Sequence, residues 1–173
     1  METSRRSFLK AGALAALVLA AGGGIYRHTH PPASKGFVLD GEARSALHAA
    51  VPAILAGMLP AEPPARARAI AAATERVNQT ILGLPLATQQ EVRDLFGLLA
   101  LGPARRLLTG IPRGWGEATD ADVGRWLQDW RTHRIALLRT AYQALHDLVL
   151  GSWYSDAANW AAIGYPGPIK ELA

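Results

Sequence analysis

The chain has 173 residues, 50% of them apolar and 18% charged, which excludes a disordered chain and allows one domain with a sizeable core. The absence of cysteine excludes disulfides, thiol catalysis, cysteine zinc sites, iron–sulfur clusters and covalent c-type haem within the chain. The formal charge is +4, but residues 1–33 hold Arg5, Arg6, Lys10 and Arg27 against Glu2, net +3, which leaves 14 basic and 13 acidic groups, net +1, for residues 34–173. A body so close to neutral has no broad positive field, and nucleic acid is not an expected partner.

The first segment reads Ser4-Arg5-Arg6-Ser7-Phe8-Leu9-Lys10, followed by a run of Ala, Leu and Val. A short positive region before an apolar run is the layout of an export signal. The paired Arg5 and Arg6 before Phe8, Leu9 and Lys10 resemble a bacterial twin-arginine signal, which a receptor reads before exporting folded cargo. A membrane anchor fits less well. Ala11 to Ala21 is 11 residues, and extension to Tyr26 gives 16, against about 20 for a spanning helix. Gly22, Gly23 and Gly24 also weaken helix propensity. Small residues around Ala20–Gly22 and Ala33–Ser34 offer two places for cleavage. Residues 1–33 are therefore read as a signal segment and 34–173 as a helical domain.

Within that domain Asp40 is placed to cap a helix over 41–58, with Leu47, Val51, Ile54, Leu55 and Met58 at three- and four-residue spacing. Pro52 requires a kink or break in it. A second helix is expected over 64–82, with Ile70, Ala73, Val77 and Ile81 on one side, ended by Gly83 and Pro85. Thr88 to Glu91 matches a capping box opening a third, with Val92, Leu95, Phe96 and Leu99 as its apolar face. A short helix follows over 104–109, then a loop over 110–118 pinned by Trp115.

Residues 119–150 carry the longest helical pattern. Thr119 to Asp122 is a near variant of the capping box, with acids where the helix dipole favours them. Val123, Trp126, Leu127, Trp130, Ile135, Leu138, Tyr142, Leu145 and Val149 form a broad apolar band ended by Gly151. A short helix over 154–162 is expected before the tail Gly164-Tyr165-Pro166-Gly167-Pro168. No segment shows strand alternation. The expected fold is all-α: a compact bundle of about five or six helices with an aromatic C-terminal extension.

Chemistry-bearing patterns are sparse. There is no phosphate-binding glycine loop and no His-Glu-x-x-His zinc pattern. His146 and Asp147 are neighbours on a helix and point about 100° apart; a helix-terminal hydrogen bond is the expected role of His146, with Arg139 seven residues back on its face. His48 and His133 are isolated. Asp120 and Asp122 are explained by the cap, and Asp129 by an exposed i,i+4 pair with Arg125. No catalytic, cofactor-binding or metal-binding residue is expected in this chain.

The C-terminal strip differs. Trp153, Tyr154, Trp160 and Tyr165 fall within 13 residues, separated by small residues and followed by stiff extended chain. Two readings are open. The strip folds back over its own helices, or it is a partner interface, where Trp and Tyr bury much area and keep a polar handle. The interface reading takes in Trp153, Tyr154, Asp156, Asn159, Trp160, Tyr165 and Pro166, with Asp156 and Asn159 capping a local helix or bridging to the partner.

These residues carry a resemblance. The twin-arginine segment, Trp126 to Trp130 leading through Tyr142-Gln143-Ala144-Leu145, and Ser152-Trp153-Tyr154-Ser155-Asp156 with Asn159-Trp160 and Gly164 to Pro168 are similar to the small subunit of bacterial membrane-associated flavin dehydrogenases for sugars and polyols. The fructose and sorbitol dehydrogenase small subunits are the nearest picture; residues 35–118 match only in helical character. The resemblance implies a large FAD-dependent catalytic subunit of the glucose–methanol–choline oxidoreductase type without its own signal, and often a third, multihaem cytochrome c subunit carrying haem c. The small subunit itself holds neither FAD nor haem. It escorts the folded flavoprotein through the twin-arginine translocation receptor to the periplasm and stays with the complex at the cytoplasmic membrane. An independent exported helical enzyme and a periplasmic structural or binding module are the alternatives.

Overall fold

The computed structural model describes residues 39–160 and 163–167. The signal reading of residues 1–33, with Arg5, Arg6, Phe8, Leu9 and Lys10, and the domain boundary at residue 34 lie outside the described residues. Those described form an all-helical fold with no strand. The elements are α1 (Gly41–Ile54), α2 (Pro63–Leu82), α3 (Leu86–Ala100), α4 (Gly102–Thr109), α5 (Asp120–Thr132) and α6 (Ala136–Tyr154), with short 3-10 turns at Trp115–Glu117 and Ala157–Asn159. No helix among the described residues is long and apolar enough to cross a membrane.

Helix α1 is the centre of the bundle. Ala46, Leu47, Ala50, Val51 and Leu55 have no solvent exposure, and α2, α3, α5 and α6 all pack against α1. Ala46 and Ala50, one turn apart, keep that face small enough for neighbouring backbones to approach. Pro52 lies inside α1 and has no amide proton for the carbonyl one turn back. The helix stops at Ile54 instead of reaching residue 58, and Gly57 takes a φ of 82° in the turn that follows. Asp40 occupies the N-cap position but its side chain makes no capping bond.

A recurring device closes the other helices. The last carbonyls of a helix have no intrahelical donor, and here later side chains supply one. The Gln89 amide donates to Leu82 O, at the end of α2, at 3.1 Å and to Leu84 O just past it at 2.8 Å. Trp115 Nε1 donates to Leu99 O at 2.9 Å in the last turn of α3, and Trp130 Nε1 to Leu108 O at 2.7 Å in the last turn of α4. Arg139 donates to the carbonyl of His133, the C-cap of α5, at 2.6 Å. Gln89 is thus a buried cap for the preceding helix. The capping box expected at Thr88–Glu91 does not form, because α3 already begins at Leu86 behind Pro85.

The 119–150 pattern divides in two. His133 is extended, with ψ 144°, and its Nδ1 accepts from Ile135 N at 3.1 Å. No proline or glycine marks this break. It lets α6 fold back against α5, burying Trp126, Leu127 and Trp130 on one side and Leu145 and Val149 on the other. Trp126 packs between Trp115, with ring centroids 5.0 Å apart, and Trp130, at 5.2 Å and nearly perpendicular. Arg105, buried in α4, donates to Glu42 at 2.8 Å and ties α4 to the first turn of α1.

The start of α5 follows its sequence signal. Asp122 N donates to the Thr119 hydroxyl at 3.2 Å and Thr119 N to the Asp122 carboxylate at 3.1 Å. Arg125 pairs with Asp122 rather than with Asp129. The Thr119 hydroxyl and amide, and then the Arg125 charge, hold the Asp122 carboxyl below its ordinary range. A carboxyl lowered in the folded state contributes stability above its unfolded pKa and loses it as the pH falls through the folded value. Asp122→Asn is therefore expected to melt at a lower temperature than wild type at pH 7. The gap should close as the pH falls from about 4 through the depressed folded value. Thermal melts across that range check it, and a gap independent of pH contradicts the charge-assisted cap.

Candidate partner interface

The seven strip residues divide into those the domain uses internally and those it leaves outside. Trp153, in the last turn of α6, is 7% exposed and belongs to the hydrophobic core. Its neighbour Ser152 donates to Thr80 Oγ1 at 2.9 Å, which fixes this end of α6 beside the last turn of α2. Tyr154 is half-buried, with its hydroxyl 3.1 Å from Met58 Sδ. Trp153 is thus held in the core and is not available to a partner in this conformation.

After Tyr154 the chain turns on polar side chains. Asp156 Oδ1 accepts from Ala158 N at 2.9 Å, capping the short 3-10 turn, and its Oδ2 accepts from Arg76 at 2.5 Å. This half-exposed ion pair holds the strip to α2. Asn159 donates to Trp153 O at 2.8 Å, and Trp160 Nε1 donates to Tyr154 O at 2.7 Å. These are the final carbonyls of α6, closed by the same device as α3 and α4. Trp160 then carries Tyr165 edge-on, with centroids 5.2 Å apart at 71°. Gly167, at φ 98°, lies against the indole; a Cβ there would sit 3.4 Å from the Trp160 ring.

What remains outward is smaller than the whole strip. Tyr165 is 45% exposed, Ile163 is 53% exposed, and Pro166 is exposed. Ile163 is an exposed member that the aromatic pattern does not flag, since one aliphatic residue between small residues carries no periodic signal. The surface thus presents an aromatic edge, an aliphatic side chain and a proline on a base fastened by Trp160, Asn159 and Asp156.

Other polar groups are dispersed. His146 Nδ1 does meet Asp147 Oδ1, at 3.3 Å, despite their adjacency on the helix, and its ring lies 5.5 Å from that of Tyr142. The Gln143 amide and then His146 lower the Asp147 pKa. A hollow of about 560 Å³ lies among α1, the start of α2, the Trp115 turn and the start of α5, rimmed by Arg44, His48, Arg66 and Asp120. Arg44 also pairs with Glu75 at 3.2 Å. Among the described residues no three His, Asp or Glu side chains converge to hold a metal ion. No family model, curated protein or solved structure matches the chain.

Truncation separates the inner and outer parts of the strip. Trp153→Ala is expected to cost about 3–5 kcal/mol of stability through the cavity it leaves. Tyr165→Ala should cost less than about 1 kcal/mol, since it loses one edge contact at the surface. Denaturant unfolding of both variants measures this. A Trp153→Ala chain as stable as wild type contradicts its core role.

Proposed function

We propose that this chain is the non-catalytic small subunit and export escort of a large FAD-dependent sugar or polyol dehydrogenase. One observation carries the reading: the Ser4-Arg5-Arg6-Ser7-Phe8-Leu9-Lys10 signal stands before a helical body that ends in an aromatic strip. Export of folded cargo suits a flavoprotein, because FAD is inserted in the cytoplasm and the holoprotein must cross already folded. The exposed Ile163, Tyr165 and Pro166 support a docking edge of modest size. A central aromatic anchor in such an edge typically contributes about 2 kcal/mol or more to binding. The fastened strip under them limits the ordering cost of association. In this reading FAD belongs to the partner, haem c to a third subunit, and the complex sits in the periplasm at the cytoplasmic membrane.

A periplasmic binding module is the second reading. The hollow beneath Arg44, His48 and Arg66 favours it, being within the range of about 300–1,000 Å³ common to small-molecule sites.

Replacing Arg5 and Arg6 together with lysine keeps the charge and removes the guanidinium groups that the translocation receptor reads. The expected outcome is cytoplasmic retention of both this chain and the flavoprotein, whose own sequence is unchanged. Cell fractionation with a dehydrogenase assay measures both. Normal periplasmic dehydrogenase activity in the double-lysine strain contradicts the escort role.

A further inference from the structure

Beyond the strip, one end of the bundle combines exposed arginines with exposed aliphatic side chains. From Trp130 to His146 the chain has no Asp or Glu, but carries Arg131, His133, Arg134, Arg139 and His146. Arg131, Arg134 and Arg139 are all exposed. Between them, on the turn joining α5 to α6 and the first turn of α6, Ile135 is 44% exposed and Leu137 is 57% exposed. The Trp130–Leu108 bond brings the last turn of α4 to the same end, and that turn carries exposed Arg106 and Leu107. A hollow of about 510 Å³ lies alongside, lined by Arg131, Arg139, Tyr142, Gln143 and His146. The acids nearest in sequence, Asp129 and Asp147, bound the run, and Asp147 is engaged by Gln143 at 2.7 Å and by His146 at 3.3 Å.

The turn is held rather than loose. His133 accepts from Ile135 N, and Arg139 donates to His133 O. The helix end therefore uses the Arg139 side chain and the Ile135 amide, but not the Ile135 or Leu137 side chains. An arginine near the C-terminus of α5 complements the helix dipole, which accounts for Arg131 alone. It does not account for the two exposed aliphatic side chains set among the arginines.

We infer that this end of the bundle docks on a bilayer surface containing anionic phospholipid, with the arginines at the headgroup phosphates and Ile135 and Leu137 entering the interface. The charge is complementary to such a surface, and each arginine near it strengthens binding about fivefold. Exposed aliphatic side chains flanked by arginine suit the boundary between headgroups and acyl chains.

The test is sedimentation of the full chain with vesicles of pure phosphatidylcholine and of phosphatidylcholine with phosphatidylglycerol in equal parts. The N-terminal apolar run is common to every variant, so the readout is the excess partition onto the anionic vesicles. The double variant Arg131→Gln/Arg134→Gln should reduce that excess about thirtyfold. Leu137→Ser should reduce it as well. Circular dichroism melts of both variants should match wild type, and Leu86→Ser at the distant start of α3 should sediment like wild type. Equal partition onto both vesicles, or an excess the variants leave unchanged, overturns the inference. Loss of the excess to inorganic phosphate at matched ionic strength would mean a free-anion site and also overturns it. So does a double variant that binds vesicles normally but releases a protein partner. None of these measurements uses export or a dehydrogenase, so their failure is distinct from failure of the escort reading.

Discussion

The carbonyls left over at the C-terminal ends of the helices constrain the whole arrangement. Each buried carbonyl without a donor costs about 1–3 kcal/mol, and a bundle of short helices has many. Trp115 and Trp130 meet this demand while filling the core, donating to Leu99 O and Leu108 O. Removing either ring would open a cavity and orphan a carbonyl together. These bonds bring the end of α3 against the Trp115 turn and the end of α4 against α5, and Trp126 packs between the two rings. The apolar face of α1, from Ala46 to Leu55, is then covered, because the neighbours packed against it are fastened at their ends as well as face to face.

That constraint also recasts the aromatic strip. All five tryptophans lie between Trp115 and Trp160, and such a concentration near the C-terminus suggests a sticky surface. Three of them, Trp115, Trp130 and Trp160, each cap the end of a helix that precedes them in the chain. Trp153 is a core residue. The part of the strip that faces outward is therefore the edge built on Trp160, namely Ile163, Tyr165 and Pro166. A small edge on a base held by hydrogen bonds suits specific recognition more than broad hydrophobic adhesion.

The helical class and most of the core were legible in the sequence because apolar residues recur at helical spacing on α1, α2, α3 and α5. The start of α5 was legible because Thr119 and Asp122 form a local motif whose partners are three residues apart. Long-range capping was not legible. Gln89, Trp115 and Trp130 find carbonyls that only the tertiary fold brings within reach, and no local spacing encodes that. The break at His133 was hidden for a related reason: a histidine ring nitrogen and a distant Arg139 do the work that glycine or proline usually signals. Within the strip the sequence pattern located the segment but did not separate Trp153, which points into the core, from Tyr165, which points out. That division depends on where α6 ends, and α6 runs on to Tyr154, past the helix-weakening Gly151.

The escort account joins a signal at one end of the chain to a docking edge at the other, with a cored helical body between them. Its central claim is that this chain leaves the cell interior bound to a flavoprotein. The most direct measurement is affinity capture of the wild-type chain from the periplasmic fraction, followed by an absorbance spectrum and mass identification of what comes with it. The account predicts a large subunit in fixed ratio to this chain, carrying FAD and lacking an export signal of its own. A periplasmic chain recovered alone, or with partners that carry no flavin, would contradict it.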